Sequence, residues 1–253
     1  MRTDILDLHR FYESPLGRKA AGFIAARLRE AWGEAQHMRI GGFGFASPYL
    51  EAFPQAERRL SFAPGGQGVI RWAQSGAAGA PNSASLIPET RWPLPDASLD
   101  RIIVAHGLEE TGDPRRLMRE IWRVLSPEGR VIIVASHRRG VWSTLDVSPF
   151  AAGRPFSKRQ LTRLLEEATF GDIRSSGALY FPPVNSRFLL RAAASWERAG
   201  ARIWPGLCGV LLADASKSLA APVGKVVTDG VRIQRRAGVR AAPAPGASFE
   251  GGA

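Results

Sequence analysis

Cysteine is almost absent from this sequence of 253 residues, in which Cys208 is the single example. One cysteine excludes an intramolecular disulfide and any zinc site built from several thiolates. The four histidines show no HExxH motif or other paired spacing typical of metal ligands; they are His9, His37, His106 and His137. The sequence therefore predicts no metal site.

Long apolar runs are also missing. The longest, Ile102–Ala105 and Val131–Ala135, are far shorter than the roughly 20 residues that a membrane-spanning helix needs. The first ten residues contain two aspartates and no apolar stretch, so they do not form a signal peptide. We expect a cytoplasmic protein without a membrane span.

Lysine is scarce, although the net charge is +11 and the sequence pI is about 11.0. Lysine occurs at four positions, so arginine supplies 30 of the 34 basic residues. Such a charge attracts nucleic acid, anionic lipid or acidic substrates. However, a chain rich in Arg, Ala and Gly is also the product of a GC-rich genome. A nucleic-acid partner is therefore an open alternative that the composition does not favour.

Predicted strands alternate with predicted helices along most of the chain. Ser14-Pro15 is a helix start, because Ser is a good N-cap and Pro suits the first helical position. Further helices are predicted after Asp113, Ser157 and Ser186. Strands are predicted at 38–40, 59–63, 83–87, 101–105, 130–135, 171–180 and 209–215. This alternation predicts an α/β fold over residues 1–222, and the composition of 223–253, basic and rich in Pro and Gly, predicts a disordered tail.

A glycine-rich segment follows the first predicted strand, and Gly42 and Gly44 are its central residues. Ligands of such sheets bind beyond the carboxyl ends of the strands, and glycine lets a backbone approach a ligand closely. A tight turn without a ligand explains the same residues. If a cofactor lies on residues 41–47, Gly44→Val is expected to block its binding without unfolding the protein.

Three ordered motifs resemble class I S-adenosylmethionine-dependent methyltransferases of the type-11 subfamily. Trp92–Glu110 (WPLPDASLDRIIVAHGLEE) resembles the family's LPFPDxSFDxVxxxHxLEH. Asp113–Val134 resembles DPxxxLxExxRVLKPGGRLLI, and Pro155–Phe170 resembles PFSxxxLxxLLxxAGF. The resemblance covers about residues 38–217.

The resemblance implies a doubly wound, mainly parallel, seven-stranded Rossmann-like sheet with helices on both faces. It also implies S-adenosylmethionine as the cofactor and a methyl transfer to an acceptor that the sequence does not name. The family binds the methionine part on the glycine loop, the ribose on an acid that ends strand 2, and the adenine after strand 3. The corresponding cofactor-binding candidates are Gly42, Phe43, Gly44, Ala46, Glu89 and His106.

The sequence departs from the family pattern in three places. Ile40 occupies the position of the usual acid before the glycines, and Ala46 replaces the third glycine. The end of strand 2 carries no Asp or Glu. Glu89 remains as a polar group for the adenine, with a solvated loop carboxylate as its alternative role. These departures support a second hypothesis, a weakened methyltransferase-fold protein that acts as a binding or regulatory module.

His106 and His137 follow predicted strands 4 and 5, and either could be a catalytic base because an imidazole titrates near neutral pH. We take His106 as the catalytic candidate, although it could also only pack beside the cofactor. His137 is interpreted as a surface loop residue, and Glu109-Glu110 as a solvated face. An NAD(P)-dependent Rossmann enzyme shares the glycine loop but not the motifs of residues 92–134.

Basic and aromatic residues recur in the later loops, at 138–142, 154–156 and 180–183. They could receive an anionic or aromatic acceptor, or form a lid that packs on itself. A second basic group, at 232–240, is interpreted as part of a solvated tail.

Overall fold

The structure is a computed structural model that describes residues 2–74, 79–145 and 147–218. Its centre is a seven-stranded sheet with the strand order β3-β2-β1-β4-β5-β7-β6. Strands β1 to β5 pair in parallel, and β7 runs antiparallel to both of its neighbours. The strands are β1 Arg39–Gly44, β2 Arg58–Pro64, β3 Ala84–Ile87, β4 Leu99–Ala105, β5 Leu125–Ser136, β6 Phe170–Ala178 and β7 Val210–Lys217.

Helices cover both faces of the sheet, which confirms the predicted doubly wound fold. One core lies between the sheet and α1, α2, α3 and α6, and the other lies between the sheet and α4 and α5. The helices are α1 Ile5–Glu13, α2 Pro15–Trp32, α3 Ser47–Leu50, α4 Pro114–Val124, α5 Lys158–Glu167 and α6 Arg187–Ile203.

The two central apolar runs of the sequence form the middle of the sheet. Ile102–Ala105 in β4 and Val131–Ala135 in β5 are buried throughout and lie side by side. Strands covered on both faces are expected to be continuous apolar runs rather than alternating ones. The prediction of strands at 101–105 and 130–135 is therefore confirmed, and the two strands are neighbours in the sheet.

Local sequence signals set several helix boundaries. The Ser14 hydroxyl accepts a hydrogen bond from the amide of Gly17, and Pro15 occupies the first turn of α2. Ser157 and Gln160 form the expected capping box at the start of α5. Helix α1, capped by Asp4, was not predicted from the sequence.

Two predictions need adjustment. The glycine segment is not a loop, because β1 extends to Gly44 and includes Gly41 and Gly42. The predicted tail, 223–253, lies outside the described residues, as does the basic group at 232–240. No helix among the described residues has the length and apolar character needed to cross a bilayer.

Candidate functional site

The carboxyl ends of the parallel strands meet at one edge of the sheet. Gly44 of β1 pairs with Ala105 of β4, and Pro64 of β2 pairs with Ile87 of β3. Since ligands of open α/β sheets bind at this edge, the residues that follow these ends are the candidate site.

A cavity of ≈ 500 Å³ opens at the ends of β1 and β2. This volume is in the range of small-molecule sites, roughly 300–1,000 Å³. Its walls carry hydroxyls, charges of both signs and an indole; among them are Tyr12, Glu13, Arg18, Gly44, Phe45, Ser47, Glu51, Ser61, Ala63, Arg71 and Trp72. Of the glycine segment, Gly44, Phe45 and Ser47 line this cavity, whereas Gly42, Phe43 and Ala46 are not among its lining residues.

The two glycines of this segment are explained by packing within the protein. A Cβ on Gly44 would lie 2.2 Å from the carbonyl oxygen of Ala105, and Gly44 has a φ of +81° that favours glycine. A Cβ on Gly42 would lie 2.6 Å from the Cβ of Ala46. The expectation that Gly44→Val would block a ligand without unfolding the protein is thus wrong, because the added side chain meets the protein backbone.

Phe43 points to the opposite face of the sheet from Gly42 and Gly44, since side chains alternate along a strand. Its ring is fully buried and stacks on Trp92 with the ring centroids 5.3 Å apart. Only the backbone of Phe43 is therefore offered to a ligand at the strand ends.

The end of β2 has small side chains and no acid. Ala63 lines the cavity, and Pro64 ends the strand. Gln67, which the sequence reasoning missed, lies buried three residues later. Its amide nitrogen donates to the carbonyl oxygen of His106 at 3.1 Å, so the side chain crosses from β2 to β4 over the end of β1. Its Oε1 atom is buried without a partner among the described residues.

Glu89 follows β3 and is held by two partners. Oε1 accepts hydrogen bonds from Nε and Nη2 of Arg2 at 3.0 and 2.7 Å, and Oε2 accepts one from the hydroxyl of Thr111 at 2.6 Å. Partial burial alone would raise the pKa of Glu89, but the hydrogen bonds from Thr111 and Arg2 outweigh it and lower the pKa. Glu89 is therefore a paired carboxylate and does not line the cavity.

His106 lies directly after β4 with a positive φ of 49°. Its Nε2 atom lies 2.7 Å from the hydroxyl of Tyr12, and Tyr12 is also hydrogen-bonded to the hydroxyl of Tyr49. All three side chains are buried. Burial lowers the pKa of His106 to about 3, so the imidazole is neutral at ordinary pH. Of His106 and Tyr12, only Tyr12 reaches the cavity.

Glu109 is buried, so the interpretation of Glu109-Glu110 as a solvated face is wrong. Its Oε1 atom accepts a hydrogen bond from the amide of Ser136 at 3.0 Å, and its Oε2 atom has no partner among the described residues. Burial raises the pKa of Glu109 to about 7. Glu110 is half-buried and accepts hydrogen bonds from the amide and hydroxyl of Thr3.

His137 is also buried, which corrects its interpretation as a surface residue. Its Nδ1 atom lies 3.0 Å from the carbonyl oxygen of Cys208. In the nearby loops, the indole of Trp142 is buried and donates to the carbonyl oxygen of Phe181 at 2.7 Å. These contacts are those of a segment that packs on itself, the alternative to an open aromatic rim.

The N-terminal segment, residues 2–13, joins these features. Arg2 pairs with Glu89, and the backbone amide of Ile5 donates to the backbone carbonyl oxygen of Gln67 at 2.9 Å. Tyr12 is hydrogen-bonded to His106. The segment thus crosses the carboxyl ends of β3, β2 and β4. A single sequence gives no signal for this placement, because the contacts join residues about 60 to 105 positions apart.

Comparisons with known proteins agree with this fold. Residues 69–133 match the family described as Methyltransferase domain. An S-adenosylmethionine-dependent methyltransferase from Thermotoga maritima superposes with a TM-score of 0.58 and 14% identity, covering 85% of this chain and 96% of that one. One from Archaeoglobus fulgidus gives a TM-score of 0.53 and 17% identity, with 84% and 98% covered. No curated protein sequence matches the chain.

The fold is that of the class I methyltransferases. The match of residues 69–133 adds a resemblance to the type-11 methyltransferases in that part of the chain. The family match and the fold imply S-adenosylmethionine as the cofactor. The site fits this group in its chemistry, because the cavity offers hydroxyls, an indole and both charges to a zwitterionic nucleoside.

Proposed function

We propose that this chain transfers a methyl group from S-adenosylmethionine to an acceptor. The observation that carries the proposal is the cavity at the ends of β1 and β2, which Gly44, Phe45, Ser47 and Ala63 line. Ligands of this kind of sheet bind at the same strand ends. When bound, the cofactor supplies a methyl group activated by its sulfonium. The work left to the protein is to hold donor and acceptor in line and to exclude water.

Side chains on the cavity walls supply the polar contacts. Ser47 and Ser61 present hydroxyls, and Arg18 and Arg71 present cations. The two arginines favour a cofactor carboxylate or an anionic methyl acceptor.

The proposed role of His106 is to position Tyr12. A proton on His106 is disfavoured by burial, because the pKa of the imidazole is lowered to about 3. The ring lies behind Tyr12, a residue that lines the cavity and whose hydroxyl is hydrogen-bonded to His106. This arrangement favours acceptors that need no strong base, such as a carboxylate, a thiolate or a neutral amine.

The second candidate is a methyltransferase-fold binding module with weakened or no activity. One observation favours it. Arg2 forms an ion pair with Glu89, and the N-terminal segment crosses the strand ends beside the cavity. In the enzyme, this segment must either form a wall of the loaded site or move aside.

Calorimetric titration of the full chain with S-adenosylmethionine and S-adenosylhomocysteine tests the proposal. Binding of both in the micromolar range, removed by filling the cavity with Ser61→Trp, supports the enzyme. Pro81→Ala, outside the residues that line the cavity, is the control. Absence of binding at millimolar concentration overturns the enzyme and leaves the binding module.

A further inference from the structure

Helix α6 has an exposed face that no part of the mechanism uses. Ala193, Glu197 and Gly200 attach its inner side to the protein. Glu197 accepts hydrogen bonds from the amides of Leu179 and Tyr180 at 2.8 and 2.7 Å. The orientation of the helix is therefore fixed, and its outer side faces solvent.

Large apolar side chains lie on this outer side. Phe188 is 78% exposed, Trp196 43% and Ile203 60%. Together with Ala192 and Ala199 they are spaced by three or four residues, which places them in one stripe along the helix. Trp204 and Leu207 continue the stripe just beyond the helix, at 49% and 53% exposure. Single exposed apolar residues are ordinary, but a continuous stripe marks an interaction surface.

A basic stripe runs beside the apolar one. Its arginines repeat at helical spacing and are all exposed: Arg187, Arg191, Arg198 and Arg202. Within the described parts of the chain, none of the four lies within 4.0 Å of a carboxylate. Arg18 and Lys19 of α2 border the same groove as Arg187 and Arg191. The face therefore carries concentrated positive charge beside apolar side chains.

We propose that α6 binds the surface of a membrane that contains anionic phospholipid. A helix with a basic stripe and an aromatic and aliphatic stripe lies in the plane of the lipid interface, with its arginines at the phosphates. Aliphatic exposure argues against a nucleic acid, because bases stack on aromatic rings and gain little from Ile203 and Leu207. This inference does not depend on the proposed methyl transfer.

Co-sedimentation with vesicles tests the proposal on the full chain, so that residues 219–253 are common to every variant. The vesicles are phosphatidylcholine alone or phosphatidylcholine mixed with phosphatidylglycerol. We expect binding to the mixed vesicles that weakens as salt rises from about 0.05 to about 0.5 M. Arg191→Glu with Arg202→Glu, and separately Phe188→Ser with Ile203→Ser, should each lower the partition coefficient by roughly tenfold or more.

The matched controls change other surfaces. Lys158→Glu with Arg159→Glu alters charge equally on exposed positions of α5, and Leu86→Ser removes a half-exposed leucine from β3. Circular dichroism checks that each variant folds. Equal binding to neutral and anionic vesicles, or an equal loss in the α5 control, overturns the proposal. The proposal is also overturned if the protein binds a single-stranded oligonucleotide but no vesicles, and if Arg191→Glu with Arg202→Glu removes the oligonucleotide binding. The face would then be a nucleic-acid surface.

Discussion

The hydroxyl of Tyr12 lies 2.7 Å from Nε2 of His106 and joins α1 to the end of β4. The same hydroxyl is hydrogen-bonded to Tyr49. Burial raises the pKa of Tyr12 well above its usual value and lowers that of His106 to about 3, so both groups are neutral at ordinary pH. A hydrogen bond between a neutral phenol and a neutral imidazole then holds the N-terminal segment over the strand ends.

Tyr12→Phe should therefore lower the free energy of unfolding. The change leaves Nε2 of His106 buried without its partner, which costs about 1–3 kcal/mol. Tyr180→Phe is the control, because its hydroxyl makes a long, 3.5 Å contact with the carbonyl oxygen of Pro205. Urea denaturation of the two variants measures the difference. Equal effects of both changes would show that the Tyr12–His106 bond does not stabilise the fold.

Glu109 gives a prediction about pH. Burial raises its pKa from 4.5 to about 7, so the stability due to its protonated form is complete below pH 4.5 and is lost as the pH rises through 7. Glu109→Gln removes this loss. At pH 9, the free energy of unfolding of the variant should exceed that of the wild type by on the order of 3 kcal/mol. The difference should vanish near pH 4.5.

His106 makes the same experiment more informative. Its pKa falls from 6.5 to about 3, so the unfolded state binds the proton first and stability is lost as the pH falls below 6.5. In the wild type, the effects of His106 and Glu109 oppose each other between pH 4.5 and 6.5. Glu109→Gln should expose the His106 slope in unfolding curves recorded across this range. Glu166→Gln, on the exposed side of α5, should leave the wild-type profile unchanged.

The sequence predicted those features that depend on local patterns. Continuous apolar runs identified β4 and β5, and cap residues located the starts of α2 and α5. The resemblance to a known family then implied a seven-stranded, mainly parallel sheet with helices on both faces, but not the order of its strands. All of these signals lie within one segment of chain, so a single sequence contains them.

The site was harder to predict because its contacts join distant segments. Gly44 has the pattern of a ligand-binding glycine, but its neighbour is the carbonyl oxygen of Ala105. Glu109 follows an apolar strand in a charged motif, but it folds inward to the amide of Ser136. Tyr12 lies in α1, a helix that the spacing of apolar residues did not predict. Each of these outcomes depends on tertiary packing, which overrides local preference.

The ion pair between Asp214 of β7 and Arg130 of β5 gives a prediction about stability away from the cavity. Its carboxylate accepts hydrogen bonds from Nε and Nη2 of Arg130 at 3.0 and 2.8 Å, and from the indole of Trp32 at 3.1 Å. Asp214→Ala should cost about 3 kcal/mol of unfolding free energy, since it leaves a mostly buried guanidinium without its main partner. Asp172→Ala removes an exposed partner of the same arginine and should cost clearly less, because exposed ion pairs contribute little. Thermal and urea denaturation measure both, and a reversed order would contradict the role given to Asp214.

Gly44→Ala should destabilise the protein rather than only weaken ligand binding. The added Cβ meets the carbonyl oxygen of Ala105 at 2.2 Å, and the positive φ adds backbone strain, so we expect a loss of about 2 kcal/mol or more. Gly65→Ala is the control, because a Cβ there meets no atom within 4 Å. A stable Gly44→Ala variant that no longer binds cofactor would restore the ligand-binding interpretation of this glycine.

Ala63 offers a direct test of the missing acid. Its side chain faces the cavity at the end of β2, where the family places a carboxylate for the ribose hydroxyls. Ala63→Asp should strengthen the binding of S-adenosylhomocysteine by about 1–3 kcal/mol, because a charged acceptor forms stronger hydrogen bonds than a neutral one. Ala63→Asn introduces a side chain with nearly the same shape as Asp but without the charge, so the affinity should increase clearly less. Calorimetry on the wild type and both variants measures the difference. If Asp and Asn change the affinity equally, or if both abolish it, the ribose does not lie against this end of β2, and the cofactor must enter the cavity in another orientation.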